Sequence, residues 1–159
     1  MRASADVPCT EVDLIAGQNM VAGSVSVDIN DEYIIIKYTT NSDWNIDLTH
    51  LSLGNCTDQW VPTTGSGNPK VGKYEHTEPH SIGINEVVYQ IGREHVEEDA
   101  ETLKYCFAAH AEVSSVSGGG GETGWAEGTG FEGNSWAMYV EAYVSDCDID
   151  GDETSSGNK

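Results

Sequence analysis

Over most of this chain, apolar and polar residues alternate with a period of two. Successive side chains of a strand leave on opposite faces, so such alternation marks half-buried strands. In "MVAGSVSVDI", Val21, Gly23, Val25, Val27 and Ile29 alternate with Ala22, Ser24, Ser26 and Asp28. Asn30-Asp31 then supplies a turn, and "EYIIIKYTT" continues with β-branched and aromatic residues, so residues 20–39 read as a hairpin. "TEVDLIAG" reads as a preceding strand ended by Gly17. "WNIDLTHLSLGN" follows the same rule, with Trp44, Ile46, Leu48 and His50 on one face. "NEVVYQI", "TLKYCFAAHAEV" and "SWAMYVEAYV" complete the set, the last placing Trp136, Met138, Val140, Ala142 and Val144 opposite Ala137, Tyr139, Glu141 and Tyr143. About seven or eight strands separated by turn signals predict an all-β fold, an antiparallel β-sandwich of jelly-roll or Ig-like Greek-key type. The strand order cannot be read from the pattern. Helix is expected only as a short turn at 96–101.

With 159 residues, 38% apolar and 21% charged, the chain has the composition of one globular domain rather than a disordered segment. The expected organisation is a lead over 1–9, a single β-sandwich over 10–147 and an acidic flexible tail or linker over 148–159. The charge balance is lopsided. Twenty-seven Asp and Glu face seven Lys and Arg, a formal net charge of -20. Such a field repels nucleic acid and anionic membranes, so neither is an expected partner. No apolar run approaches the ~20 residues of a membrane span, and "MRASADVP" lacks the apolar centre of a signal peptide. If the protein is exported, this chain is expected to be its mature form.

Cys9, Cys56, Cys106 and Cys147 include no CxxC pair, which removes zinc-ribbon and thioredoxin readings. Wide spacing beside the sequon Asn55-Cys56-Thr57 fits two disulfides and a secreted or cell-surface location. Of three connectivities, Cys9–Cys147 with Cys56–Cys106 is favoured. The first pair flanks the outermost strands, and closing the longest loop restricts the unfolded chain most, by ~4–5 kcal/mol in the entropy view. Four reduced, buried thiols are the alternative.

Two connections are long, 56–83 and 114–134, and both carry apolar anchors: Trp60, Val61, Val71 and Tyr74 in one, Trp125 and Phe131 in the other. Connections beyond ~12–15 residues are usually functional or disordered, and disordered linkers lack such anchors. Both are expected to fold back over an open end or face of the sandwich. Gly118–Gly121 precedes strand-type sequence and so cannot cradle phosphate as a loop ahead of a helix does. It reads as slack ahead of Trp125.

Four constellations bear on chemistry. Asp146, Asp148, Asp150 and Asp152, with Gly151, match the opening of a calcium loop, but the twelfth position holds Gly157 instead of a bidentate Glu. Ca²⁺ is therefore weighed there against a solvated acidic tail. "HTEPH" resembles a zinc pair, yet Pro79 forbids the helix that would align His76 and His80. His50 and His110, on different strands, can approach each other beside Glu112, as zinc ligands or as neutral hydrogen-bonded residues. Glu122, Glu127 and Glu132 recur among aromatics, so a glycan-active hydrolase or lyase would need two carboxylates, Glu112 included, ~5–10 Å apart across a cleft. That enzyme reading is the weakest of three. Trp60, Tyr74 and Trp125 would instead give a carbohydrate-binding module its stacking rings, although core anchoring ranks above ligand contact for Trp125 and Trp136.

"GQNMVAGSVSV", "IKYTTNSDWNIDLTHLSLGNC", "PTTGSGNPKVGKY", "CFAAHAEV" and "ETGWAEGTGF…GNSWAMYVEAY" occur here in that order. In this the chain resembles a β-domain of secreted or cell-surface proteins from Bacteroidetes and other, often marine, bacteria. That domain carries a Trp ahead of a Thr-His pair, an Asn-Pro before a Gly, an Ala-His-Ala strand and a closing Glu-Thr-x-Trp…Trp-Ala-x-Tyr signature. The resemblance spans roughly residues 17 to 144. It implies export and a β-rich surface module and carries over no catalytic residue. The leading expectation is a non-catalytic extracellular module, structural or adhesive. Its expected partner is itself, through strand-edge association, or a surface glycan.

Overall fold

The computed structural model describes residues 10–30, 32–56, 60–81, 83–92, 104–118, 120–131, 133 and 135–143. Cys9, Cys147, Glu132, the four tail aspartates and the short turn expected at 96–101 lie outside them. Among the described residues ten strands form: β1 (Thr10–Ala16), β2 (Met20–Ile29), β3 (Tyr33–Thr40), β4 (Trp44–Asn55), β5 (His76–Pro79), β6 (Glu86–Gly92), β7 (Lys104–Ser115), β8 (Gly121–Ala126), β9 (Thr129–Gly130) and β10 (Met138–Tyr143). All pairings are antiparallel, in the order β5-β4-β7-β8-β1-β2-β3-β6, with β10 joining β7 and β9. The all-β antiparallel expectation holds. The strands make one continuous sheet curled into a sandwich-like half-barrel.

The long strand β7 organises it. One edge of β7 carries β4 from Trp44↔Ser115 to Asn55↔Tyr105. Its other edge is divided, with β10 along 104–107 and β8 along 110–114. The main core draws Leu14, Val25, Val27, Ile34, Ile36 and Tyr38 from one side of the curl and Ile46, Leu51, Leu53, Phe107 and Val113 from the other. Full burial of side chains of this size stabilises by ~1.5–3 kcal/mol each. Tyr38, wholly buried, crosses the core and donates its hydroxyl to the carbonyl of His50 at 2.8 Å. Burial pushes the Tyr38 phenol well above its ordinary range, so it stays a donor.

Turn chemistry matches the sequence at the hairpin. The Asn30 carboxamide accepts from the amides of Glu32 and Tyr33 and closes the β2–β3 turn. Asn41 does the same for Asp43 between β3 and β4.

Strict alternation fails at two bulges. Leu14 pairs with Gly23 and Ile15 with Val21, leaving Ala22 as an extra residue. Ala22 turns inward and Val21 outward, 52% exposed, reversing the expected faces. Ile46 pairs with Val113 and Leu48 with Glu112, so Asp47 is the extra residue of β4. Beyond it, Thr49, Leu51 and Leu53 share the core face with Ile46, while Leu48, His50 and Ser52 face the other way. The common face expected for Ile46, Leu48 and His50 is thus corrected. A further correction concerns 114–134. That stretch is no open loop, since Gly121–Ala126 forms β8 between β7 and β1. The glycines before it make the turn itself, with Gly118 and Gly120 at φ of 90° and 102°, values that L side chains resist.

Cys56 and Cys106 form the expected disulfide, tying the end of β4 to β7 across a sequence separation of 50. Replacing both by alanine should lower unfolding stability by about 4 kcal/mol on the loop-entropy estimate. Urea denaturation of variant and parent under oxidising conditions measures the difference.

Candidate functional site

The bulge at Asp47 determines what the second face of β4 and β7 presents. His50 stands directly opposite His110, and Ser52 opposite Ala108. Trp125 of β8 pairs with His110 from the other edge of β7, so its ring joins the same face. This surface would be wet in an open sheet. Instead the two long connections fold onto it and build a second cluster, in which Val61, Tyr74, Ala108, Trp125 and Ala137 are buried. Trp60, Val71, Phe131, Trp136, Met138 and Tyr139 close it as a half-buried rim.

Polar contacts hold the cover down. The Glu75 carboxylate accepts from the amide of Leu53 at 3.0 Å and the hydroxyl of Ser52 at 2.9 Å. The two connections also grip each other, because the amide of Ser135 donates to the Asn68 side chain at 3.1 Å. Gly133 sits where any Cβ would collide with that carboxamide, so glycine is required for the close approach. Aromatic rings then interlock, with Trp60 5.7 Å from Tyr139 and Phe131 5.1 Å from Tyr139 between centroids.

Beneath the cover lies the histidine pair. The Nδ1 atoms of His50 and His110 are 3.1 Å apart, a hydrogen bond in which one ring donates and the other accepts. His110 meets Trp125 edge-on at 4.7 Å, and His50 meets Tyr74 at 6.5 Å. Burial, reinforced by His50, lowers the His110 pKa to about 3. His50 is also lowered by burial, an effect that Glu112 opposes. Both rings are therefore neutral near pH 7. The hydroxyl of Tyr74, by contrast, has no hydrogen-bond partner among the described residues, and burial raises its pKa.

The residues singled out from sequence fall as follows. Trp125 is 4% and Tyr74 5% exposed, so neither ring offers a face to a sugar, and both are corrected to packing residues. Trp60 is half-buried. Glu112 pairs with Thr123 and Glu122 with Val113, so these two carboxylates leave the sheet on opposite faces. His76 and His80 go to separate partners, His76 to the Tyr89 ring at 5.8 Å and His80 Nε2 to the Thr49 hydroxyl at 2.9 Å. Among the described residues, no three His, Cys, Asp or Glu side chains converge as a metal site would require. Sequence reasoning missed Glu75 and gave Asn68 no role beyond its place in the Asn-Pro motif, because the importance of both arises from contacts across the fold.

Four of the five motifs set out above meet here, while "GQNMVAGSVSV" belongs to β2 and the turn before it. Thr49-His50, Asn68-Pro69, Ala109-His110-Ala111, Trp125 and Ala137-Met138-Tyr139 all lie in or beside the covered cluster. They form a single packing signature. Comparison of the chain with protein-family models, with curated proteins and with solved structures returns no match.

Two outcomes are expected. Trp125→Ala should cost ~3–5 kcal/mol, the usual loss for a buried large aromatic, read by denaturant titration. The histidine pair adds acid sensitivity. A group whose folded pKa lies below its unfolded value contributes fully above the unfolded pKa and loses that contribution as pH falls. For His110 the window runs from 6.5 down to about 3. Within it, stability relative to His110→Gln should fall by ~1.4 kcal/mol per pH unit, one proton's worth, in paired melts of the two proteins.

Proposed function

We propose that this chain is a non-catalytic structural or adhesive module of a secreted or cell-surface protein, and that it associates with itself through a strand edge. The observation that carries this reading is the contrast between the two ends of the sheet. At one end β5 is four residues long, finishes in Pro79 and exposes Glu78, the usual protections of an edge. At the other, β6 runs seven residues without proline or bulge, and no described strand pairs with its outer side. An edge of that kind offers a row of backbone donors and acceptors to another strand. The Cys56–Cys106 disulfide is compatible with an oxidising, extracellular setting. The non-catalytic part draws support from Glu112 and Glu122 leaving on opposite faces and from a histidine pair whose Nδ1 atoms satisfy each other.

A net charge of -20 opposes self-association at low ionic strength, and salt screens it. Light scattering over a concentration series should show the mass rising with concentration, and more steeply at ~2 M than at ~0.15 M NaCl. A mass fixed at one chain throughout would overturn the reading. One observation favours carbohydrate binding as the second reading, the half-buried Trp60, tilted at 32° to Phe131 at the rim of the cluster. In that case glycan-array binding would appear and vanish in a folded Trp60→Ala variant.

A further inference from the structure

We infer that two copies of this chain pair antiparallel along the outer edge of β6, about a two-fold axis through Val88, and so form a closed dimer. This rests on the strand-edge reading above and narrows it from open assembly to a pair.

The register of β6 on β3 is unbroken from Glu86↔Thr39 to Gly92↔Tyr33, so the edge is straight over its whole length. Val87 and Ile91 are buried and Tyr89 half-buried, while Glu86, Val88 and Gln90 face solvent. Val88 is 49% exposed, one of the few large apolar side chains in the open. An axis through Val88 sets it against its own copy and covers both. The same axis puts Glu86 opposite Gln90 of the second copy on each side, a carboxylate facing an amide donor. Moving the axis one residue toward Tyr89 puts Val88 against Gln90 and leaves Glu86 facing Gly92. Moving it toward Val87 sets Glu86 against Val88. Only the Val88 axis matches every outward pair.

Electrostatics agree with this placement. In a chain with 27 acidic residues, β6 carries one carboxylate, Glu86, and Lys37 Nζ lies 3.6 Å from it. Across the axis the two Glu86 residues stand four strand positions apart, ~13 Å at 3.3 Å per residue. That exceeds the ~8 Å Debye length at physiological salt, so their repulsion is largely screened. Closure follows from the other edge. A chain of copies would need β5 to receive β6, and β5 is short and ends in Pro79. An isologous pairing consumes the same patch on both partners and stops at two.

The test uses the full chain with Val88→Glu and Val88→Lys, substitutions at an exposed position whose folding is checked by thermal melting. The parent should reach twice the chain mass in light scattering at high salt. Each variant alone should raise the dissociation constant at least about tenfold, because like charges then face each other on the axis. An equimolar mixture of the two variants should recover the dimer as a heterodimer. Dimers indifferent to both substitutions, or a mixture that stays monomeric, overturn the inference. Long assemblies that survive the Val88 substitutions overturn it while leaving strand-edge association intact, whereas a parent that never exceeds one chain overturns both.

Discussion

The β4–β7 ladder is buried on both faces from His50↔His110 to Leu53↔Phe107, and the rest of the molecule is arranged to make that possible. On one side Leu51, Leu53, Ala109 and Phe107 belong to the main core. On the other, His50, Ser52, Ala108 and His110 are also removed from water. A strand pair of an antiparallel sheet normally keeps one face wet. Burying the second face requires a second layer, and among the described residues there is no α-helix to supply it, only the 3-10 turn Val71–Lys73. The two long connections do so with aromatic rings, and polar contacts from Glu75 and Asn68 hold them in place. The disulfide at Cys56 anchors the first connection where it leaves β4.

How much of this was legible depended on whether the determining contacts were local. The hairpin over 20–39 was readable because Asn30 and the β-branched run act within a few residues of each other. The Cys56–Cys106 pairing was reached only as the remainder once Cys9 and Cys147, which flank the outermost strands, were set against each other. The bulges at Ala22 and Asp47 were not readable, since an extra residue is defined by the partner strand and not by the strand itself. A single slip there moves His50 from the face it was expected to share with Ile46 to the covered outer face. Strand β8 was half legible. The sequence after Gly118–Gly121 reads as strand-type, but its place in the sheet comes from ladders to β7 and β1 on both sides. For the covered cluster, the ranking of Trp125 as a core anchor and the approach of His50 to His110 were both visible. Exposure of Tyr74 and Trp125 could not be judged, because it depends on how two loops distant in sequence close over them.

The distribution of charge divides the surface by task. Most of the carboxylates among the described residues are exposed to solvent, where like charges on two copies repel. The β6 edge departs from this pattern, with one carboxylate beside a lysine and an exposed valine. On the reading proposed above, that edge is the place on the described surface where a second copy meets least repulsion.

The Nδ1-to-Nδ1 contact between His50 and His110 also restricts where hydrogens can reside. A neutral imidazole carries a single ring hydrogen, so the donor ring has a bare Nε2 and the acceptor ring bears its hydrogen on Nε2. The two residues are therefore held as opposite tautomers. Transfer of the shared hydrogen across the 3.1 Å gap leaves an ion pair until each Nε2 readjusts. What each ring shows its own surroundings is thus set by its neighbour's choice, and the pair acts as one two-position unit at the centre of the covered face.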